Sequence, residues 1–219
     1  MRNLRLSVAS FIMISFLLVG CSKWNRTQKG AAIGTAGGGA AGAIIGKAAG
    51  NAGLGAIIGA TVGGVTGAVI GRNMDKQADE IKNDIPDAKV VRVGEGIVIE
   101  FNNQILFGFD QSELSNASKT SLDKLVVILN KYPDTDIEVQ GHTDNTGATA
   151  YNQELSIRRA SAVSAYLTRN NINSTRLNVK GFGETIAKYD NASAEGQSQN
   201  RRVEFLVSAN EKMKADAAK

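Results

Sequence analysis

The pattern of apolar and polar positions changes three times along the chain of 219 residues. A short apolar run comes first, and a stretch that repeats glycine every four residues follows it. A charged segment then leads into alternating strands and helices. Because apolar periodicity is the main signal of secondary structure in a sequence, each change marks a predicted boundary. Together with Cys21 and the charged C-terminal tail, these boundaries predict six segments, which are residues 1–20, 21–29, 30–71, 72–88, 89–210 and 211–219.

Segment 89–210 combines short strands with two longer helices. Alternation of apolar and polar residues predicts strands over residues 90–93, 97–101, 136–144, 176–180 and 202–207. Ser115 can cap a helix with Leu122, Leu125, Val126 and Leu129 on one face, and Tyr132-Pro133 ends it. A second helix is predicted over residues 149–170. The order β-α-β-α-β-β predicts an α+β fold, a two-layer α/β sandwich with both helices on one sheet face.

Glycine recurs every fourth residue between Gly30 and Gly71, with one change of register between Gly50 and Gly55. This spacing places the glycines in one stripe of a helix, where another backbone can approach closely. We predict a helical hairpin with arms over residues 31–46 and 53–70. Its packing positions are Gly34, Gly38, Gly42, Gly46, Gly55, Gly59, Gly63 and Gly67. The alternative, a flexible Gly/Ala-rich linker, fits less well because the segment contains apolar runs.

The charged segment 72–88 carries Met74, Ala78, Ile81 and Ile85 at near-helical spacing, and Pro86 follows them. This pattern predicts a short amphipathic connector between the hairpin and the C-terminal segment.

The N-terminus has the features of a secretory signal peptide: Arg2 and Arg5 precede an apolar run, and small residues precede Cys21. The sequence LVGC at Cys21 resembles the lipobox of bacterial lipoproteins, which implies lipidation of that cysteine. Two or three acyl chains anchor a protein to a membrane effectively permanently. Ser22 follows the cysteine instead of an aspartate, so the resemblance favours the outer membrane, with the C-terminal segment in the periplasm.

Composition narrows the function classes. The net charge is +4 and the basic residues are interspersed, so nucleic-acid binding is not predicted. The single cysteine rules out an intrachain disulfide.

The stretch GHTDNTG, residues 141–147, places the chain's single histidine two residues before Asp144. A catalytic role would need an activated nucleophile, and neither Thr143 nor Ser156 lies in a motif that marks one. A zinc site would need further histidine or cysteine ligands. We therefore predict no enzyme activity, metal or cofactor, and we interpret His142 as a polar residue of the site's rim or of the surface, with a secondary ligand contact as its additional role.

Several motifs together resemble the OmpA-like domain: FGFD at residues 107–110, GHTDNTG, NQELS at 152–156, GFGE at 181–184 and NRRVE at 200–204. They cover nearly all of residues 94–207 in order. Together with the signal peptide and the glycine repeat, they resemble an outer-membrane lipoprotein of the YiaD type. The resemblance implies non-covalent binding of peptidoglycan, chiefly through the meso-diaminopimelate of its stem peptide.

Diaminopimelate ends in an ammonium and a carboxylate on the same carbon, so its binding site needs an anion and a cation on rigid elements. Asp144 at a strand end can accept from the ammonium, and the planar fork of Arg159 can bind the carboxylate. A structural ion pair between the two residues is the alternative. The resemblance gives Asp144 and Arg159 the same ligand roles and adds Thr146, Asn152, Asp110 and Arg201 as neighbours.

Two functions follow. In the first, the protein links the outer membrane to the cell wall. In the second, it is an envelope assembly protein whose glycine hairpin self-associates into a homo-oligomer or perturbs the membrane, and wall binding only positions it. Residues 30–71 resemble the glycine-zipper domain of several bacterial lipoproteins, and this resemblance implies membrane association or self-association.

Overall fold

The structure is a computed structural model in which residues 65–107 and 111–219 are described. The predictions for Cys21, for the glycines from Gly34 to Gly63 and for Asp110 concern residues outside this part of the chain. No helix within the described residues is long and apolar enough to cross a bilayer.

The described residues form five strands and six α-helices. The strands are β1 (Lys89–Val93), β2 (Gly96–Asn102), β3 (Thr135–His142), β4 (Leu177–Gly181) and β5 (Arg202–Ala209). The helices are α1 (Val65–Asp84), α2 (Asn103–Leu106), α3 (Asn116–Lys131), α4 (Thr149–Arg169), α5 (Ala194–Asn200) and α6 (Glu211–Ala217). All five predicted strands and both predicted helices are present. Ser115 caps α3 as predicted, since its Oγ accepts from Ser118 N at 3.0 Å.

The strands form one mixed sheet in the order β1-β2-β5-β3-β4. The first four strands in this order pair antiparallel, and β3 pairs parallel with β4 through the connecting helix α4. As a result, β2 and β3 run in the same direction on either side of β5. The ends of β2 and β3 therefore meet the start of β5 at one edge of the sheet.

One face of the sheet carries the apolar core. The strand register aligns Phe101, Val203 and Gly141 in one row, and Ile99, Phe205 and Val139 in the next. The apolar faces of α1, α3 and α4 belong to the same buried cluster. This arrangement confirms the two-layer sandwich with the predicted helices on one side of the sheet.

The opposite face of the sheet is polar and also buried. Arg202 donates to Glu204 at 2.6 Å, and Lys180 pairs with Glu138 at 2.7 Å. Segment 182–200 contributes to this face, because Lys188 pairs with Glu100 at 2.6 Å. Burial of charged groups is tolerated here because each of these carboxylates has a cationic partner.

Two segments differ from their predicted roles. Helix α1 continues without a break through Gly71, the predicted end of the glycine segment, and buries Met74 and Ile81 in the core. The predicted connector is therefore part of the folded unit. The predicted charged tail at residues 211–219 forms α6, which packs against α1 and buries Met213. Met213 and the partly buried Ala217 are the apolar residues of this helix that pack against the core, and two positions among charged residues give too little periodicity to predict a helix.

Candidate ligand-binding site

A cleft of about 570 Å³ opens at the edge of the sheet where β2 and β3 end and β5 begins. Its walls combine carboxylate, guanidinium, amide and aromatic side chains. The lining residues are Asn103, Gln104, Phe107, Thr143, Asp144, Thr146, Tyr151, Asn152, Leu155, Arg159, Gln197 and Arg201. Five of the six ligand residues predicted from the sequence thus lie in one cleft, and the sixth, Asp110, is outside the described residues.

Asp144 provides the fixed negative charge of the cleft. It follows β3 by two residues, and its Oδ1 accepts from Thr146 N at 2.9 Å in a local turn. Its Oδ2 forms an ion pair with Arg201. The side chain is 8% exposed, so the carboxylate is largely shielded from water but reaches the cleft. A carboxylate has about four acceptor positions, which leaves capacity for a ligand ammonium.

Arg159 provides a buried positive charge from helix α4. Its Nε donates to the carbonyl oxygen of Gln111 at 2.9 Å, and its guanidinium carbon lies 5.5 Å from the ring centroid of Phe107. These two contacts fix the plane of the guanidinium group against the wall of the cleft. A planar guanidinium held in this way suits a carboxylate ligand.

Close packing between α4 and the sheet places Arg159 at the cleft. A Cβ atom added to Gly141 would collide with the backbone oxygen of Ser156, so only glycine allows α4 to approach β3 this closely. Arg159 is three residues beyond Ser156 and therefore lies on the same side of the helix. Gly141, the first glycine of GHTDNTG, thus allows the packing that places Arg159 at the cleft. Asp144 of the same motif supplies the opposite charge.

Asn152 holds together the loop that follows Asp144. Its buried Nδ2 donates to the carbonyl oxygens of Asp144 and Thr146 at 3.3 and 3.2 Å, and to Glu184 Oε2 at 2.6 Å. Thr146 itself is exposed at the rim of the cleft. These bonds make Asn152 a residue that positions the loop.

The sequence allowed a structural ion pair between Asp144 and Arg159 as the alternative to ligand binding, whereas the structure gives Asp144 another cationic partner. Asp144 pairs with Arg201, a residue that the resemblance placed near the site without a partner. Sequence reasoning assigned no role to Asn103, although a polar residue directly after the apolar run of β2 was a usable signal. Glu184 was also missed as a partner of Asn152.

His142 differs from its prediction as a surface residue. The ring is 0% exposed and stacks on Phe182, with centroids 5.4 Å apart. Burial, with smaller contributions from the charges of Arg202 and Lys188, holds the pKa of His142 well below its ordinary value. Neither ring nitrogen has a hydrogen-bond partner among the described residues. The ring is therefore neutral and does not hold a nucleophile from the described part of the chain.

Solved structures share this fold. The T6SS cell wall anchor from Pseudomonas aeruginosa has a TM-score of 0.55 and 28% identity, over 63% of this chain and 97% of that one. A MotB-like protein from Desulfovibrio vulgaris has a TM-score of 0.60 and 23% identity, over 64% of this chain and 94% of that one. The fold is that of an OmpA-like domain.

Sequence comparison assigns the family. Residues 106–201 match the OmpA family, and residues 1–75 match the YMGG-like Gly-zipper. The outer-membrane lipoprotein YfiB of Pseudomonas aeruginosa is 34% identical over 115 residues, which are 52% of this chain and 68% of that protein. The chain belongs to the OmpA family.

Other relatives are matched over a smaller part of their length. The probable lipoprotein YiaD of Escherichia coli K12 is 34% identical over 119 residues, which are 54% of this chain and 54% of that protein. Outer membrane porin F of Pseudomonas aeruginosa is 40% identical over 116 residues, which are 52% of this chain and 33% of the porin. In four relatives, which include YiaD and porin F, the matched part of the chain covers between 16% and 54% of the relative's own length.

Proposed function

We propose that the protein is an outer-membrane lipoprotein that binds peptidoglycan non-covalently through the diaminopimelate of its stem peptide. By doing so it ties the outer membrane to the cell wall. The observation that carries this proposal is the placement of Asp144 and Arg159 in one cleft, each held by further hydrogen bonds. Two relatives named as lipoproteins, of which YfiB is named as an outer-membrane lipoprotein, and the lipobox-like sequence at Cys21 support the location.

The charges of the cleft suit an amino-acid end. The ammonium of the ligand would approach Asp144, and its carboxylate would approach the guanidinium of Arg159. Both protein groups are already oriented by contacts to Thr146 and Gln111, so little side-chain entropy is lost on binding. A modest affinity for one stem peptide is sufficient, because a lipid-anchored protein facing a repeating polymer is retained by a high effective concentration.

The proposal is tested by co-sedimentation of the full chain with purified peptidoglycan. We expect Asp144→Ala and Arg159→Ala to abolish sedimentation with the wall. Arg159→Lys keeps the charge but loses the planar fork, and should bind much more weakly than wild type. Arg169→Ala is the matched control, since this arginine is exposed in the last turn of the same helix and does not line the cleft.

Two outcomes contradict the proposal. One is wild-type sedimentation of both alanine variants with circular dichroism spectra that show an intact fold. The other is undiminished binding of the wild-type protein to peptidoglycan in which lysine replaces diaminopimelate, because lysine lacks the second amino-acid end.

A second candidate function rests on the match of residues 1–75 to the YMGG-like Gly-zipper. In this function the glycine segment self-associates or enters the membrane during envelope assembly. Replacement of Gly38, Gly42, Gly59 and Gly63 by leucine would then change the oligomeric state measured by cross-linking, while wall binding stays intact. An unchanged oligomeric state and an unchanged envelope phenotype would leave the segment as a spacer.

A further inference from the structure

Strand β4 forms one edge of the sheet, and alternate residues along it direct their backbone groups to opposite sides. The Phe182 N–H, just beyond the strand, donates to the Gly141 carbonyl oxygen of β3 at 2.9 Å. Because the direction alternates in a parallel ladder, Lys180 and Asn178 also direct their backbone groups toward β3. The residues between them direct theirs away from the sheet, and these outward residues are Leu177, Val179 and Gly181.

Most of the outward backbone groups have no partner within the described residues. Each of the three outward residues has one N–H and one carbonyl group. The Leu177 N–H donates to the Ser174 carbonyl oxygen, and the Gly181 carbonyl accepts from Gln153 Nε2 at 2.8 Å. The remaining groups, without a hydrogen bond in the described part of the chain, are the Leu177 carbonyl, both groups of Val179 and the Gly181 N–H.

The polar side chains of β4 leave this edge unprotected. Lys180 Nζ pairs with a Glu138 carboxylate oxygen at 2.7 Å, and Asn178 Nδ2 donates to the same carboxylate at 3.1 Å. Both side chains are therefore turned back onto β3. Natural edge strands are commonly protected by a charged side chain, since an open edge can pair with the strand of another chain.

The unpaired groups match a second, antiparallel copy of β4 related by a twofold axis at Val179. In this register Val179 faces Val179 of the second copy, and the two residues exchange both of their hydrogen bonds. Gly181 faces Leu177 of the second copy, so its free N–H donates to the free carbonyl of that leucine. The groups that this pairing leaves over are the ones already bonded to Ser174 and Gln153. Self-pairing therefore uses every free group of the edge.

Helix α4 presents a compatible face beside this edge. It packs over β3 and β4, so the helix of the second copy would lie two strand spacings away. That separation is about 10 Å, a normal distance between packed helices. Ile157 is 42% exposed and lies against Gly181, where Leu177 of the second copy would cover it. The following residues on this side of the helix are uncharged, and they are Ser161, Ser164 and Thr168.

We propose that β4 is the interface of a homodimer, in which two sheets of five strands each join into one continuous sheet. This interface belongs to the C-terminal domain and is separate from the glycine segment. Because the paired strands are antiparallel, the two clefts lie at opposite ends of the joined sheet. Under the proposed function, one dimer would bind two stem peptides, and binding at both clefts would retain it on the wall longer than binding at one.

Cysteine cross-linking of the full chain in the membranes of expressing cells tests the interface. Cys21 is the chain's single cysteine and its predicted lipidation site, so an introduced cysteine supplies the reactive thiol. Val179→Cys places two thiols across the twofold axis, with Cα atoms about 5.5 Å apart, a distance that a disulfide can span. We expect a disulfide-linked dimer as the main product of mild oxidation. Val127→Cys is the matched control, since Val127 is 70% exposed on α3, and it should give only traces of dimer.

A second pair of variants separates specific pairing from chance collision. Ser161 is exposed one turn beyond Ile157, on the side of α4 that would face its copy. In the Val179→Cys background, Ser161→Glu brings two like charges together at the helix contact and should abolish the cross-link. Val127→Glu introduces the same charge on α3 and should leave the cross-link unchanged. Circular dichroism spectra check that both variants are folded.

Four outcomes overturn the dimer. They are no cross-link at Val179→Cys, equal cross-linking at Val179→Cys and Val127→Cys, a cross-link that survives Ser161→Glu, and a product whose mass shows a different protein. The last outcome would assign the edge to another partner strand. All four leave the proposed function in place, because each cleft lies within one copy. Loss of wall sedimentation with the cross-link intact would instead overturn the proposed function alone.

Discussion

Asp144 and Arg201 form an ion pair across the gap between the end of β3 and the start of β5. The aspartate side chain is largely buried, whereas the arginine side chain is 32% exposed. Water therefore screens this pair less than a surface pair, but it does not isolate the two charges completely. The pair joins two strands that are neighbours in the sheet and distant in sequence, and it holds the acidic group of the cleft in place.

A double-mutant cycle measures this pair. Asp144→Asn and Arg201→Met each remove one charge while the side chains keep a similar size, and the double variant removes both. We expect a coupling free energy of about 0.5 to 3 kcal/mol, measured by urea denaturation. A coupling near zero would show that the two groups do not stabilise each other. The second hydrogen-bond partner of the Asp144 carboxylate is the backbone N–H of Thr146, which none of these substitutions removes.

Close packing at Gly141 predicts a large effect from one methyl group. Gly141→Ala places a Cβ against the backbone oxygen of Ser156, which cannot move without shifting α4. We expect a loss of about 2 to 4 kcal/mol in the free energy of unfolding, and weaker wall binding because Arg159 moves with the helix. Gly71→Ala is the control, since nothing lies within 4 Å of an added Cβ there. In a helix this change should stabilise the protein by about 0.5 to 1 kcal/mol.

Equal stability of Gly141→Ala and wild type would mean that α4 is free to shift away from β3. Destabilisation by Gly71→Ala would instead contradict the open surroundings of that helix position.

The packing of α1 into the core predicts that this helix unfolds together with the sheet. Ile81 is fully buried, so Ile81→Ala should lower the free energy of unfolding by about 2 to 5 kcal/mol in a single transition. Val127 on α3 is 70% exposed, and Val127→Ala should change stability by less than about 0.5 kcal/mol. A separate early transition for α1 in hydrogen exchange would contradict this shared unfolding.

His142 predicts a specific dependence of stability on pH. Its pKa is well below the ordinary value in the folded state, whereas the unfolded chain has a pKa of about 6.5. As pH falls below about 6.5, the unfolded chain gains a proton on this residue and the folded chain does not. The free energy of unfolding should therefore decrease by up to about 1.4 kcal/mol per pH unit, until the folded-state pKa is reached.

The replacement His142→Phe removes this titration and keeps a ring to stack on Phe182. Between pH 7.5 and pH 5.5, the variant should lose about 1 kcal/mol less stability than wild type in urea denaturation. An equal loss in both proteins would show that His142 is accessible to protons when folded.

Local patterns predicted the strands and the two long helices because their apolar positions repeat with the period of each structure. Ile137 and Val139 alternate with polar residues, and they lie in the core as that alternation predicts. The same alternation misplaced His142, because the polar face of the sheet is buried too. Its cover comes from segment 182–200, where Lys188 and Phe182 contact the sheet. Burial by a distant irregular segment leaves no periodic signal in a strand.

The cleft was predicted in part for a similar reason. The charges of Asp144 and Arg159 could be matched to a zwitterion from their chemistry, and both line the cleft. The sequence could not show that Arg201 pairs with Asp144, since this contact depends on the strand order β2-β5-β3. The amide of Asn103 reaches the same edge through that strand order. Contacts across a sheet depend on pairing that no single strand specifies.

Helix α1 determines how force would pass through the molecule. Its final turns hold Ile81 in the core, and Asp75 pairs with Arg92 of β1 at 2.9 Å. Tension applied at Val65 would therefore reach the sheet as shear along an apolar helix face, with many side chains resisting together. Gly71 lies in a continuous helix that offers no swivel at that point, so the helix would transmit this load without bending there.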